Sequence, residues 1–280
     1  MKQILGDNQF FGINHYDLNK GNDKKKLFIS NDSIIEFINE SLNIGMDGFM
    51  MNSNSRGYEI VDFMKIDVSK EVHFSIPYPH KFASLVNENG LLFLLKYLIS
   101  KSSTKSVLYY FPKFIFKKDV KYLLHLIVDL EIPQNLPSGS YIYLQNIVTD
   151  LLIGLKRYDL IYEFCETIIG KGFKPGIITL NPLSIDKILS DYSSNILQDL
   201  VVCFNINKTG FNVFPNLNDV HQYTLTKTAY KKMGMSILSS GSVLNVDDSL
   251  DYIKELQLDY VVYGTSSINN LIYNFNYLKK

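Results

Sequence analysis

The chain has 280 residues, 46% of them hydrophobic, and this length suits one α/β barrel of about 250 residues better than two small domains. Lysine and arginine (28) balance aspartate and glutamate (28), so the net charge favours neither nucleic acid nor an anionic membrane as a partner. With two cysteines, no apolar run of ~20 residues and no signal-peptide core at its start, the sequence predicts a cytoplasmic protein without disulfides or membrane spans.

The first part of the chain alternates short apolar runs with helix patterns. The polar stretch 16–28 is typical of a solvated loop, and Ser33 and Glu36 have the spacing of a capping box, which predicts the start of the first helix. The alternation indicates a parallel sheet with helices outside it. The first three strands are predicted at 2–7, 47–52 and 71–76.

Residues 80–139 interrupt this alternation. The stretches 91–99 and 120–128 are strongly apolar helix patterns. If 107–111 were a strand, the chain would have nine candidate strands where a closed barrel needs eight. We therefore predict a mostly helical insertion after the third strand, which covers the site or forms the contact between subunits of a homo-oligomer.

Regular alternation returns after residue 139. Three helices are predicted here. The first spans 159–169, the second ends at about Leu189, and the third ends at Met233. The remaining strands are predicted at 140–146, 174–181, 200–207, 235–242 and 260–267. Residues 1–280 are thus predicted to form a single (β/α)8 TIM-barrel domain of the α/β class, with 80–139 as its insertion.

The last two predicted strands end in glycine and hydroxyl residues, and the second runs straight into a helix start. Glycine lets the backbone approach an anion closely, while hydroxyls and the free N–H groups of a helix start donate hydrogen bonds. The sequence therefore predicts a phosphate-binding corner, although glycines that only make tight turns would give the same pattern. Its residues are Ser239, Ser240, Gly241, Ser242, Gly264, Thr265, Ser266 and Ser267.

Carboxamide side chains follow most of the other predicted strands. Amides donate and accept hydrogen bonds without titrating, so they suit a hydroxylated substrate better than a metal ion, and no metal is predicted. Arg56 is added as a group that positions an anion, or alternatively as a loop-capping arginine. The substrate-binding candidates are Asn8, Asn52, Asn54, Arg56, Gln145, Asn181, Asn205 and Asn207.

Four residues are candidates for catalysis. Asp7 is the only acid at a predicted strand end, which favours a general acid or base, although an Asx turn explains it equally well. His15 follows in the same loop, where it would contact substrate or only make local hydrogen bonds. Lys208 would form a Schiff base if desolvated, or else be an exposed loop lysine. Tyr58 would supply a phenol donor or belong to the core.

The order of segments resembles that of the aldo-keto reductase-like barrels. Residues 4–12 are similar to their first strand and its glycine-containing turn, 45–59 to their second strand, and 260–271 to their last strand and the helix start that holds the cofactor phosphate. The resemblance covers most of the chain apart from 80–139. It implies a (β/α)8 barrel and, as an activity, carbonyl reduction with a nicotinamide cofactor.

The catalytic tetrad of that family, Asp, Tyr, Lys and His, matches this sequence at Tyr58 alone. The position that resembles the aspartate falls at Met51 or Asn52, and the third strand ends without a lysine. Such a reductase uses its lysine to lower the pKa of the acid that protonates the alkoxide. The resemblance therefore indicates a divergent member of this superfamily.

Three functions are compatible with these features. The leading hypothesis is an enzyme that acts on a small phosphorylated or nucleotide-linked carbohydrate, an anionic substrate, by aldolase, lyase or isomerase chemistry. The second is an NADPH-dependent reductase, and no cofactor is expected otherwise. The third is a barrel without catalytic activity that serves as a binding or assembly subunit.

Overall fold

The structure is a computed structural model that describes residues 1–13, 26–64, 69–192, 194–243 and 245–280. Eight parallel strands form a closed barrel in chain order, with the last strand paired to the first. They are β1 (Lys2–Leu5), β2 (Gly48–Asn52), β3 (Glu71–Ile76), β4 (Tyr141–Leu144), β5 (Lys174–Thr179), β6 (Val201–Asn205), β7 (Lys231–Met235) and β8 (Tyr260–Tyr263). The predicted (β/α)8 fold is confirmed.

Helices follow the strands around the outside of the barrel. They are α1 (Asn31–Ile44), α2 (Ser55–Phe63), α3 (Pro79–Asn89), α4 (Leu91–Lys101), α5 (Thr104–Lys117), α6 (Lys121–Glu131), α7 (Asn146–Gly154), α8 (Tyr158–Gly170), α9 (Pro182–Leu189), α10 (Ser194–Leu197), α11 (Leu217–Leu225), α12 (Val246–Lys254) and α13 (Ile268–Lys279). In the described chain, no helix has both the length and the apolar character needed to cross a bilayer.

Each strand buries side chains on both faces, because alternate residues point into the barrel and out towards the helices. In β2, Met50 joins the inner cluster, while Phe49 and Met51 join the larger cluster between the sheet and the helices. The inner cluster also contains three tyrosines, Tyr141, Tyr143 and Tyr260, which are its largest side chains. The barrel is thus a packed core whose functional surface lies at the strand ends.

The predicted, mostly helical insertion is present between β3 and β4. It consists of α3 to α6, and residues 107–111 lie inside α5, so the ninth candidate strand is a helix. Several apolar side chains of α5 face solvent, among them Leu108 (72% exposed) and Phe116 (85% exposed). The contact between subunits predicted for 80–139 stays a prediction.

The seventh strand was misplaced by the sequence. The strand occupies Lys231–Met235 rather than 235–242, because the serines that follow it adopt left-handed turns, with φ of 59° at Ser236 and 56° at Ser240. Lys232 is buried in this strand, and its ammonium donates hydrogen bonds to the Tyr223 and Thr224 carbonyl oxygens at the end of α11 (2.8 and 3.3 Å). Lysine is usually exposed, so the sequence of this strand was taken for the exposed end of a helix.

The first helix also begins earlier than predicted. Ser30, not Ser33, is the N-cap of α1, and its Oγ accepts a hydrogen bond from the Ser33 N–H at 3.1 Å. The Ser33 hydroxyl donates back to the Ser30 carbonyl oxygen at 2.8 Å. Two serines at this spacing offer two possible caps, and the sequence pattern favoured the wrong one. Helix α7 was not predicted.

Gly176 of β5 is required by the inner packing of the barrel. A Cβ atom there would lie 2.3 Å from the ring of Tyr143, which is fully buried. We expect Gly176→Ala to lower the free energy of unfolding by about 1–3 kcal/mol, because the ring has to shift in a close-packed core. Urea denaturation measures this change.

Gly170→Ala is the matched control, because a Cβ at Gly170 meets no atom within 4 Å. Its effect should stay within about 0.5 kcal/mol of zero. Equal destabilisation by the two substitutions would contradict the packing argument.

Candidate functional site

A cavity of about 1540 Å³ opens at the carboxyl ends of the strands. Active sites of barrel enzymes lie at this end, and the volume exceeds the roughly 300–1,000 Å³ of ordinary small-molecule sites. Apolar side chains such as Met50, Ile178, Met235 and Val262 alternate on its wall with amides and hydroxyls. The cavity therefore has room for a large ligand with both apolar and polar parts.

Asp7 lies on the cavity wall just after β1 and is 5% exposed. Its carboxylate accepts hydrogen bonds from the Asn52 backbone N–H at 2.8 Å and from Asn52 Nδ2 at 2.9 and 3.0 Å. Burial raises the pKa of Asp7 to about 6, although the hydrogen bonds from Asn52 oppose this rise. A carboxyl with this pKa can donate or accept a proton near neutral pH.

Asn52 is itself held by two further side chains. Its Oδ1 accepts hydrogen bonds from the Ser75 hydroxyl at 2.5 Å and from Gln145 Nε2 at 3.2 Å. These contacts point Asn52 Nδ2 towards Asp7 and connect the ends of β1, β2, β3 and β4. Ser75 was missed from the sequence, since a serine inside an apolar strand carries no signal of its own.

Five of the predicted amides line the cavity: Asn8, Asn52, Gln145, Asn181 and Asn205. The other two support local structure outside the cavity wall. Asn54 Oδ1 accepts from the Gly57 N–H at 2.8 Å as the N-cap of α2, and Asn207 Oδ1 accepts from the Phe211 N–H at 2.9 Å. A position after a strand therefore did not by itself determine where the amide points.

Arg56, Tyr58 and Lys208 do not line the cavity. The Arg56 guanidinium donates to Asn31 Oδ1 at 2.8 Å and to the Phe28 carbonyl oxygen at 3.1 Å, so it fixes the loop before α1. Lys208 is half-exposed and lies 3.3 Å from the Asp248 carboxylate, which agrees with the alternative of an exposed loop lysine; its catalytic role stays a prediction.

Tyr58 packs against Phe74, with ring centroids 5.7 Å apart, and burial raises the pKa of its hydroxyl. It belongs to the layer between the sheet and the helices rather than to the cavity wall. His15 lies outside the described residues, so its predicted role stays a prediction.

The predicted phosphate corner is divided. Ser240, Gly241, Gly264 and Thr265 line the cavity, whereas the hydroxyls of the remaining four are turned to the protein or lie off the wall. Ser239 Oγ is 2.8 Å from Thr209 Oγ1, Ser242 Oγ donates to the Ser239 carbonyl oxygen, and Ser267 Oγ caps α13. Ser266 is likewise not part of the wall. Phosphate binding stays a prediction.

Asp150 and Asp247 are cavity residues that the sequence interpretation missed. Asp150 of α7 accepts hydrogen bonds from Thr179 Oγ1 at 2.6 Å and from the Leu180 N–H at 3.0 Å, and burial raises its pKa. The signal was a single acid in the otherwise apolar stretch 146–154. Asp247 begins α12 at the other side of the cavity.

The described part of the cavity wall carries three carboxylates, those of Asp7, Asp150 and Asp247, and no lysine, arginine or histidine. To an anion, this wall offers uncharged donors only. Among the described residues there is also no group of three or more His, Cys, Asp or Glu side chains arranged for a metal ion. The anionic substrate stays a prediction.

The hydrogen bonds from Asn52 should hold the pKa of Asp7 down. Asn52→Leu removes the Nδ2 donor, so we expect the pKa of Asp7 to rise from about 6 to above about 7. The measurement is an NMR pH titration of ¹³C-labelled aspartate, with the Asp7 signal identified by its loss in Asp7→Asn.

Asn54→Ser is the control for this titration, since it retains a capping oxygen two residues away. It should leave the Asp7 titration unchanged. An unchanged pKa in Asn52→Leu would mean that Asn52 does not stabilise the ionised carboxylate.

No family model and no curated protein matches this chain. A candidate aldo-keto reductase from Pseudomonas aeruginosa is 10% identical with a TM-score of 0.57, over 99% of this chain and 88% of its own. An aldo-keto reductase from Klebsiella pneumoniae in complex with NADPH is 9% identical with a TM-score of 0.51, over 99% of this chain and 85% of its own.

At these identities the similarity shows the fold, and at that level it confirms the resemblance to aldo-keto reductase-like barrels. It also corrects the leading functional hypothesis. The matched structures are described as reductases, which speaks against the predicted aldolase, lyase or isomerase chemistry. The error arose because uncharged donors at strand ends serve many different reactions on one fold. The comparisons favour the oxidoreductase alternative.

Proposed function

We propose that this protein is an oxidoreductase that interconverts a carbonyl compound and an alcohol with a nicotinamide dinucleotide. The observation that carries the proposal is Asp7, a buried acid with a pKa of about 6 on the wall of a 1540 Å³ cavity. The fold shared with aldo-keto reductases, one of them in complex with NADPH, supports the same conclusion.

The residues of the cavity fit a dinucleotide. The wall includes Asp7 after β1, Asp247 at the start of α12 and Tyr273 in α13, and the cavity volume of about 1540 Å³ accommodates a large ligand. The same wall includes Gly264 and Thr265 after β8, and barrel enzymes commonly bind phosphate at the loops after the last two strands. Backbone N–H groups and hydroxyls there are uncharged donors suited to a pyrophosphate.

A bound nicotinamide dinucleotide would supply a hydride to the substrate carbon or accept one from it. In reduction, the protonated carboxyl of Asp7 donates its proton to the carbonyl oxygen as C=O becomes C–OH, which leaves Asp7 ionised. The two N–H donors of Asn52 stabilise this carboxylate until water reprotonates it. In alcohol oxidation, the carboxylate instead removes the hydroxyl proton.

The cavity residues also have to orient the substrate and exclude water from it. Asn8, Gln145 and Asn205 place hydrogen-bonding groups around Asp7 and the strand ends, where they can orient a substrate oxygen. Met50 and Val262 provide apolar surface beside them. These residues stay predictions for substrate binding, and their placement on one wall supports the proposal.

A cytoplasmic location is part of this proposal. Cys165 and Cys203 are both buried and unpaired as thiols, which is typical of proteins in a reducing compartment.

Reduction should follow the protonation of Asp7. Since the pKa of Asp7 is raised to about 6, the proton is present below pH 6, and kcat/KM for reduction should fall about tenfold per pH unit above it. Alcohol oxidation needs the carboxylate, so it should rise about tenfold per pH unit up to pH 6 and level off above it. Asp7→Asn should lower kcat by about 10²–10⁴-fold and flatten both profiles. Cofactor absorbance with a panel of aldehydes and ketones gives the measurement.

Asp47→Asn is the control, because Asp47 accepts the Gln3 N–H at the opposite end of the barrel and asparagine retains that acceptor. It should keep the wild-type pH profile. An Asp7→Asn variant as active as the wild type would remove Asp7 from the mechanism. Cofactor binding without turnover of any carbonyl would favour the barrel without catalytic activity.

A further inference from the structure

We propose that the cavity binds NADH in preference to NADPH, because Asp247 occupies the wall at the adenosine end, where a 2′-phosphate would need a cation. This inference rests on the proposed function. It goes beyond it by selecting between the two nicotinamide dinucleotides and by assigning the selection to one side chain.

The direction of the dinucleotide follows from the positions of Asp7 and of the last two strands. The reacting end has to reach Asp7, and phosphates are expected at the loops after β7 and β8, where Ser240 and Gly264 line the cavity. The adenosine then lies beyond these loops. There the cavity is bounded by the starts of α12 and α13, with Asn245, Asp247, Asn270, Tyr273 and Asn274 on its wall.

Asp247 is fixed in this part of the wall. Its Oδ1 accepts a hydrogen bond from the Tyr273 hydroxyl at 2.6 Å, and its own N–H donates to Asn245 Oδ1 at 3.0 Å. A carboxylate accepts hydrogen bonds at both oxygens, so Oδ2 can take the hydroxyl of a ribose. An acid in this role accepts the ribose 2′-hydroxyl of NAD in dinucleotide-binding folds, whereas an arginine accommodates the 2′-phosphate of NADP.

Charge on the same wall disfavours a 2′-phosphate. The phosphate of NADPH adds negative charge next to the Asp247 carboxylate, and the two like charges repel each other. The described wall has no lysine, arginine or histidine to compensate. The Lys208 ammonium, 3.3 Å from Asp248, is half-exposed and already paired with that carboxylate.

A purely structural role for Asp247 has to be separated from this one. Acids in the first turn of a helix stabilise it through the macrodipole, and Asp247 lies in the first turn of α12. Asp251 is a matched control for Asp247, because both lie in α12 and both accept a hydrogen bond from a tyrosine hydroxyl of α13. One turn later, Asp251 Oδ1 accepts from the Tyr277 hydroxyl at 3.0 Å, a contact of the same kind that lies outside the cavity wall.

The experiment is calorimetric titration of the full-length protein with NADH and with NADPH, without substrate. We expect NADH to bind at least about tenfold more tightly. Asp247→Asn should reduce this ratio, and Asp247→Arg should invert it, because guanidinium pairs with phosphate. Asp251→Asn should keep the wild-type ratio. Circular dichroism and thermal melting establish that each variant is folded.

The outcomes separate this inference from the function on which it rests. NADPH binding as tightly as NADH would overturn the inference and leave the oxidoreductase proposal standing. A wild-type ratio in folded Asp247→Asn and Asp247→Arg would overturn the assignment to Asp247. Failure of both dinucleotides to bind would overturn the proposed function and this inference together.

Discussion

Closure of the barrel between β1 and β8 is the constraint on which the candidate site depends. The two strands pair from Lys2 with Tyr260 to Leu5 with Tyr263, and the Gly6 N–H continues the pairing to the Tyr263 carbonyl oxygen at 2.8 Å. This register brings residues from the two ends of the sequence to one cavity mouth. Without it, the acid after β1 and the glycine and hydroxyl residues after β8 would not line one cavity.

Burial of the Asp7 carboxyl lowers the stability of the folded chain. The pKa of Asp7 is about 6 in the folded chain, against an ordinary value of 3.8, so the folded state binds this proton more tightly than the unfolded state. The cost is absent below pH 3.8, grows between pH 3.8 and 6, and is complete above pH 6, where it amounts to roughly 3 kcal/mol. A domain stable by about 5–15 kcal/mol tolerates such a group.

The sequence predicted the barrel, the helical insertion and a position at the strand ends for Asp7, because strand periodicity and strand ends are local properties. The direction of a side chain is not a local property of the sequence. Arg56 was therefore assigned to substrate although it donates to the Phe28 carbonyl oxygen, and Asn54 although it caps its own helix. Ser75 could not be predicted from the sequence, since its contact with Asn52 exists only when β2 and β3 pair. The reaction type was wrong because the same donors serve many chemistries.

The helical insertion also affects synthesis of the chain. β3 and β4 are neighbours in the sheet, yet residues 77–140 separate them along the chain. At about 5–20 residues per second on the ribosome, the nascent sheet ends in the open edge of β3 for several seconds. An unpaired edge is a template for other strands, and the four helices between β3 and β4 lengthen the time for which that edge has no partner.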